Sequence, residues 1–385
     1  MIGGSKVPMG RYLQILIVFS IIINSCDDPI TNDDPPNEDS IINLTLLWEV
    51  QYNRTSWGSN VAPTPINDSL LLFTGDNNIS CVNIDSGIVV WTSSLEYAGS
   101  TIENFVFDNH AVYGIRDQDK TYAIDINDGS VLWEYELPDV QRFGFKVCAS
   151  NTHFFVGTIG DSTNDYKIWK FSKQGELVDS INVPQKPWVL TEYNGYLLSG
   201  QGWTSGADFT GQITCYSTDS LKLVWNHASN GSFLSPPVFD EDRIYVGTVW
   251  WNSGITKALD INTGNPYWTN SSHGAYNMAQ NEMFIFANMA SAVFCVDKLT
   301  GEDIWRSNFS APDEISNMTL LGDYLYFVNY GKLNIVEVTS GEIIYSSNGP
   351  DGASVEFVSS SEDQIFVQTS QHLYGVEPLE ISEDN

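Results

Sequence analysis

The chain has 385 residues, and its 48 Asp and Glu against 17 Lys and Arg give a formal net charge of −31. A surface of that sign repels phosphate backbones, so nucleic acid is excluded as a partner. Aromatic residues make up 13% of the chain, with 12 Trp, which excludes a disordered acidic protein and indicates a globular, β-rich core.

The N-terminus has the features of a targeting signal. Lys6 and Arg11 precede an apolar run from residue 12 to residue 23, which is too short for a transmembrane helix of about 20 apolar residues. Residues 23–26, Ile-Asn-Ser-Cys, resemble the lipobox of bacterial lipoproteins. The resemblance implies that residues 1–25 are a lipoprotein signal peptide and that Cys26 is lipidated. The alternative is an ordinary secretory signal in which Cys26 has no role.

Residues 27–40 are acidic, rich in Pro and nearly devoid of apolar side chains. Such a composition cannot bury enough surface to offset the entropy of ordering, so residues 26–43 are predicted to be a flexible tether. An acidic stretch after a lipidated Cys resembles the surface-export signals of Bacteroidota lipoproteins, whereas Asp27 favours inner-membrane retention under the enterobacterial rule. We expect a lipid-anchored protein of the bacterial envelope, at the outer membrane, with the leaflet left open.

One pattern then repeats along the chain. Its clearest copy is Ala258-Leu-Asp-Ile-Asn-Thr-Gly264, followed four residues later by Trp268. Asp and Asn side chains bond turn backbones and Gly accepts φ > 0, so each copy predicts a strand end, a tight turn and a returning strand with the Trp. The copies are spaced by about 40 residues, which indicates an array of supersecondary units. The Trp position is filled by Trp48, Trp91, Trp133, Asp179, Trp225, Trp268, Trp305 and Tyr345.

Each unit contains three further short segments rich in β-branched and aromatic residues. Eight units of four strands predict an all-β, eight-bladed β-propeller of four-stranded antiparallel blades over residues 44–378, followed by an acidic tail at 379–385. The last unit supplies three strands, and residues 43–50 supply one. The N-terminal strand should therefore complete the eighth blade and cover two sheet edges in a monomeric ring.

This repeat resembles that of the PQQ-like, or quinoprotein-type, propeller family. Within the family, a lipoprotein of this length with a single propeller is similar to the outer-membrane assembly factors of the BamB type. The resemblance implies that the repeated Trp side chains pack between blades. It also implies a scaffold that holds a periplasmic domain of the assembly barrel through one propeller face, or that handles clients by strand addition. Propellers host unrelated activities, so the repeat specifies the fold more closely than the function.

Motifs of catalysis are missing from the sequence. It contains no His-Glu-x-x-His, Gly-x-Ser-x-Gly or phosphate-binding loop, and its five His are scattered among the units. Quinoprotein dehydrogenases carry two adjacent cysteines beside the cofactor and a longer chain, and this chain has no adjacent pair. We expect no enzyme activity, no cofactor and no metal, with a PQQ-dependent dehydrogenase as the least favoured reading.

The cysteines other than Cys26 are predicted to be structural. Cys81, Cys215 and Cys295 lie six residues before the Gly position of the turn, where other units have Ala123, Ala258 and Gly375. We expect each of them to fill a small buried slot as a free thiol, too far from the others to share a disulfide or a metal. Cys148 lies on an inner strand and is likewise predicted to be free.

Three consecutive units have longer connections between their second and third strands, at residues 157–166, 200–211 and 247–254. Loops on a rigid scaffold concentrate binding residues, and exposed Trp and Tyr are frequent interface anchors. The alternative is that these aromatic side chains cap the apolar ends of their own blades. The predicted partner-binding residues are Tyr166, Trp203, Phe209, Trp250 and Trp251 in these connections, and Trp188 in a connection between blades.

Two functions from different classes use this aromatic face. The first is a noncatalytic protein-binding scaffold of the envelope, of the BamB type. The second is a surface binder of glycans or nutrients, in which Trp rings stack on sugars while residues such as Asp208 and Asn252 bond hydroxyl groups.

Overall fold

The computed structural model describes residues 44–52, 61–75, 78–93, 95, 104–116, 119–138, 146–160, 165–201, 210–250, 253–309 and 317–379. All of them belong to one compact unit, Ile41–Asn385. The predicted signal peptide, Cys26, the tether up to residue 43 and residues 380–385 of the predicted tail lie outside the described residues. Within the described ranges, no helix is long and apolar enough to cross a membrane.

The described residues form eight four-stranded antiparallel sheets, which confirms the predicted propeller. Blades 1 to 4 consist of β2 (Thr64–Asn67), β3 (Leu70–Gly75), β4 (Asn78–Asn83) and β5 (Val89–Thr92); β6 (Phe105–Phe107), β7 (Ala111–Arg116), β8 (Lys120–Asp125) and β9 (Val131–Glu136); β10 (Lys146–Ala149), β11 (His153–Ile159), β12 (Tyr166–Ser172) and β13 (Leu177–Val183); and β14 (Pro187–Tyr193), β15 (Tyr196–Gln201), β16 (Thr210–Ser217) and β17 (Leu223–Asn230).

Blades 5 to 7 follow the same order. They consist of β18 (Val238–Asp240), β19 (Arg243–Trp250), β20 (Ser253–Asp260) and β21 (Pro266–Asn270); β22 (Asn277–Gln280), β23 (Phe284–Met289), β24 (Ala292–Asp297) and β25 (Asp303–Asn308); and β26 (Met318–Leu321), β27 (Tyr324–Asn329), β28 (Lys332–Glu337) and β29 (Ile343–Ser347). The inner strands of neighbouring blades contact one another around the ring, as in the β6–β10, β22–β26 and β30–β2 pairs, where β30 belongs to blade 8.

Blade 8 closes the ring with both ends of the described chain. It consists of β30 (Val355–Ser360), β31 (Ile365–Thr369), β32 (His372–Val376) and the N-terminal strand β1 (Leu46–Gln51) on the outside. Trp48 is opposite Gly375, and the Glu377 N–H donates to the Thr45 carbonyl at 2.9 Å. This confirms the predicted closure, in which the N-terminal strand completes the last blade.

The repeated Trp side chains join each blade to the next. The Trp268 ring of blade 5 lies against Gly301 in the turn of blade 6, and its Nε1 donates to the Lys298 carbonyl at 3.1 Å. Five other Trp side chains make the same pair of contacts with the following blade: Trp48, Trp91, Trp133, Trp225 and Trp305. The Trp and the Gly of the repeat are therefore two halves of one contact, each supplied by a different blade.

The junction between blades 3 and 4 has neither the Trp nor the Gly of this contact. Asp179 stands at the Trp position of blade 3, and Leu221 stands at the Gly position of blade 4. Lys170, which is 3% exposed and opposite Asp179, donates from Nζ to the Asp219 carbonyl at 2.6 Å. The lysine ammonium thus bonds the backbone of the next turn as the indole N–H does elsewhere.

The three slot cysteines, Cys81, Cys215 and Cys295, are fully buried free thiols, and each is opposite the Trp of its own outer strand. Ala123 and Ala258 occupy the same place opposite Trp133 and Trp268. A small side chain is needed here because the indole covers it. Cys148 is also buried and free, as predicted.

Two faces of the ring are distinguished by their connections. The turn face carries the first-to-second strand turns of every blade and the third-to-fourth strand turns of blades 1 to 7, including the Asp- and Gly-containing turns of the repeat. The loop face carries the second-to-third connections and the connections between blades. Tyr166, Trp188 and Trp250, the predicted partner-binding residues that the structure describes, lie at the loop-face ends of their strands.

Candidate functional site on the loop face

Trp250 lies at the end of β19, on a hairpin that rises from blade 5. The sequence predicted a loop from Gly247 to Gly254, but the structure continues both strands to the Trp250–Ser253 pair. The prediction was wrong there because Thr248, Val249, Ile255 and Thr256 are β-branched residues with a high strand propensity. The Trp250 side chain is 42% exposed.

The connections on both sides of this hairpin pack against it. On one side, Ser232 and Val249 exchange two backbone hydrogen bonds, at 2.9 and 3.0 Å. On the other side, a Cβ atom on Gly254 or on Gly274 would overlap the Thr248 carbonyl, so both glycines permit close backbone packing. Trp250 is therefore carried by a hairpin that is supported from two directions.

A buried histidine fixes the second of these connections. His273 is fully buried, its ring stacks on Phe294 with centroids 4.1 Å apart, and its Nε2 lies 3.1 Å from Asp303. Burial lowers the pKa of His273 more than Asp303 raises it, so the imidazole is neutral at pH 7. Thr256 Oγ1 lies 3.3 Å from Nδ1 on the opposite side of the ring.

Trp188 and Tyr166 are less accessible than Trp250. Trp188 was predicted in a connection between blades, but it lies at an irregularity of the inner strand β14 and is half-buried. The Lys186 ammonium lies 3.8 Å from the centroid of its ring, and its Nε1 is buried without a hydrogen-bond partner within the described part of the chain. Tyr166 begins β12 and packs against the apolar cluster between blades 3 and 4.

The other three predicted residues, Trp203, Phe209 and Trp251, lie outside the described residues. Phe233, a further aromatic residue of a loop-face connection, is 2% exposed and belongs to the core between blades 4 and 5, so it caps the blades. Sequence reasoning missed Tyr330, which is 65% exposed in the loop-face turn of blade 7. Its φ of 51° is rare for a bulky residue, and a Tyr directly before Gly331 in a short turn was the available signal.

Charge is distributed unequally between the two faces. The turn face carries carboxylates in every blade, and the pKa of Asp297, for example, is lowered chiefly by the Thr300 N–H. The connections beside the Trp250 hairpin, residues 231–237 and 271–276, contain no Asp, Glu, Lys or Arg. Because interface cores are depleted of charge and enriched in aromatic residues, this sector has the composition of a binding surface.

A family model described as "Outer membrane protein assembly factor BamB" matches residues 44–187 and 161–379. The chain belongs to the BamB family of PQQ-like propellers. BamB from Moraxella catarrhalis is similar in structure, with a TM-score of 0.68 and 15% identity over 89% of this chain and 99% of that one. This likeness shows the fold alone.

Enzymes share the BamB-family fold. Quinohemoprotein alcohol dehydrogenase from Comamonas testosteroni has a TM-score of 0.68 and 12% identity, over 89% of this chain and 78% of the enzyme. An uncharacterized protein of Rickettsia conorii is 24% identical over 60% of this chain, and the match spans 58% of that relative's length.

The sequence of this BamB-family propeller lacks one hallmark of the quinoprotein dehydrogenases. The two adjacent cysteines beside the quinone are missing from the sequence. Among the described residues, no group of three or more His, Cys, Asp or Glu side chains could hold a metal ion.

Proposed function

We propose that this BamB-family protein is a noncatalytic protein-binding scaffold of the bacterial envelope, and that its partner belongs to the machinery of outer-membrane protein assembly. The description of the family supports the assembly role. One observation of the chain itself carries the binding role: the repeat Trp side chains pack between blades, whereas Trp250 projects from the supported hairpin of the loop face.

The surroundings of Trp250 support a macromolecular partner. A rigid aromatic anchor between two connections that contain no charged residue loses little side-chain entropy and little ionic hydration when a partner covers it. The net charge of the chain would by contrast repel an acidic partner at longer range. We extend the site to Trp203, Phe209, Trp251, Trp188 and Tyr166, and we propose lipidation at Cys26 as the link to the membrane.

Affinity recovery from envelopes of the host tests this function. The lipidated protein and the Trp203/Trp250/Trp251→Ala variant would be crosslinked in parallel, after both are shown to melt at the same temperature. Tyr267→Ala is the matched control, because Tyr267 is 46% exposed but lies on the turn-face side of blade 5. We expect the wild type and Tyr267→Ala to recover an outer-membrane assembly protein. The triple variant should fail to recover it. Equal recovery by all three proteins would refute the assigned site.

The second candidate is a surface glycan binder, in which the exposed ring of Trp250 would stack on the apolar face of a sugar. Titration of the purified protein with neutral oligosaccharides, followed by Trp fluorescence, separates the two candidates. A saturable change that Trp250→Ala abolishes, together with no recovered protein, would put the glycan function first.

A further inference from the structure

The outer strand of every blade contains a β-bulge at the same place. In blade 1, Val82 pairs with Val89 and Cys81 pairs with Trp91, so Val90 has no opposite residue. The bulge residues of the eight blades are all apolar or aromatic: Leu47, Val90, Leu132, Val178, Val224, Tyr267, Ile304 and Ile344. Bulges on edge strands prevent the edges of two sheets from pairing. The presence of a bulge in each blade is explained by this and does not by itself indicate a binding site.

Blade 1 differs from the other blades directly before its bulge. Ile88 follows the turn glycine Gly87 and is 66% exposed. At the same position the other blades that have this turn carry exposed polar residues: Ser130, Glu176, Lys222, Asn265, Glu302 and Glu342. Since the repeat accepts polar and charged side chains here, the turn does not require an aliphatic residue, and Ile88 needs another explanation.

Exposed apolar residues lie near Ile88 on both sides of the junction between blades 8 and 1. Leu46 and Leu47 of β1 are exposed, as are Val89 and Val90 of β5. The two pairs adjoin because the Trp48 side chain lies directly against Gly87, with its Cβ 2.8 Å from the place of a Cβ on that glycine. We call these five residues, 46, 47, 88, 89 and 90, the rim patch. Exposed apolar surfaces of this kind mark sites of interaction with proteins or membranes.

The position of the rim patch identifies its occupant. The chain enters the ring at Leu44, beside the patch, and residues 27–43 separate it from Cys26. Even fully extended, a segment of that length reaches at most about 60 Å. If Cys26 is lipidated, the bilayer always lies within that distance of the patch, at a high effective concentration.

We propose that the rim patch rests on the surface of the bilayer to which the chain is anchored, and that this surface is zwitterionic. The inference depends on the lipid anchor of the proposed function. Asp85 and Glu49 border the patch and the whole chain is strongly acidic, so anionic headgroups repel it. Blade 5 is four blades from blade 1 in a ring of eight, so this contact keeps the Trp250 hairpin on the side away from the membrane.

The first experiment measures lipid contact in the anchored protein. Ile88→Cys would carry a fluorophore in the lipidated chain, which is bound to phosphatidylcholine vesicles containing a nitroxide lipid as quencher. Glu302→Cys is the matched control at the equivalent position of blade 6. We expect strong quenching at 88, little at 302, and weaker quenching at 88 when phosphatidylglycerol replaces part of the phosphatidylcholine. No quenching at 88, or equal quenching at both positions, overturns the proposal.

A second measurement avoids the label and the anchor. The chain without residues 1–25 and with Cys26→Ser would be floated with phosphatidylcholine vesicles, beside Ile88→Glu and the control Glu302→Gln. Glu is the residue found at this position in blades 3, 6 and 7, so the fold accepts it. We expect on the order of tenfold less vesicle binding with Ile88→Glu, because contact with the bilayer would then have to desolvate a charged carboxylate in place of an apolar side chain. Unchanged binding refutes the proposal.

The vesicle assays contain no other protein. Their failure would therefore remove the membrane contact and leave the loop-face partner untouched, whereas failure of the envelope recovery would remove the partner and leave the rim patch. Crosslinking of Ile88→Cys to a protein in envelopes, with no quenching in vesicles, would assign the patch to a protein instead and would also overturn the proposal.

Discussion

The contact between Trp268 and Gly301 predicts a large difference between two Gly→Ala substitutions. Gly301 has a φ of 75°, and a Cβ atom there would lie 2.5 Å from Cδ2 and Cε3 of the Trp268 ring. Gly322 has a φ of 58°, and no atom lies within 4 Å of its Cβ position. Gly322→Ala should therefore lower the free energy of unfolding only by the backbone strain, about 1–2 kcal/mol. Gly301→Ala adds overpacking of about 1–3 kcal/mol, for a total of about 2–5 kcal/mol.

The free energy of unfolding by urea measures both costs, and removal of the ring tests their cause. Trp268→Ala alone should cost about 3–5 kcal/mol, because it empties a buried site and leaves the Lys298 carbonyl without its indole donor. In that background, Gly301→Ala should cost no more than Gly322→Ala, since the clash has gone. Equal costs of the two glycine substitutions in the wild type, or an unchanged cost of Gly301→Ala without Trp268, would refute the inter-blade contact.

Three other predictions concern the interfaces between blades. The pKa of His227 is lowered below its ordinary 6.5, first by burial and then by the Lys257 ammonium, whose Nζ lies 3.0 Å from Nε2. The unfolded chain therefore binds the proton more readily than the folded chain. The free energy of unfolding should fall as the pH drops below about 6.5. His227→Gln should flatten this loss in melting curves between pH 7.5 and 5, and an unchanged slope would contradict it. Burial raises the pKa of the three slot cysteines to about 12. Ellman's reagent at pH 8 should therefore label them only after the protein unfolds. Rapid labelling of the folded protein would contradict their burial. Lys170→Ala should lower the free energy of unfolding by urea by about 1–3 kcal/mol, because the buried Asp219 carbonyl loses its donor. In the same titration, Lys222→Ala on the exposed turn should change it by no more than about 0.5 kcal/mol.

The sequence by itself determined the architecture. Each copy of the repeat contains its own turn chemistry, as in Asp260, where the carboxylate accepts two backbone N–H bonds and hydroxyl bonds from Thr263 and Tyr267. Such contacts are local, so they can be read from a window of a few residues, and their period predicts eight blades. The slot cysteines were predictable for the same reason, because they hold a fixed place in the repeat. The closure by β1 followed from counting strands at the two ends.

Contacts between blades were decided by the tertiary structure alone. Asp179 and Leu221 look like two unrelated losses from the repeat until the ring places them at one junction, where Lys170 replaces the indole. Phe233 is buried because blade 5 covers it. The Trp250 hairpin has strand-forming residues of its own, but only the ring places the connections on both sides against it. None of these neighbours lies within the local window that a repeat describes, since closing the ring brings together residues that are distant in the chain.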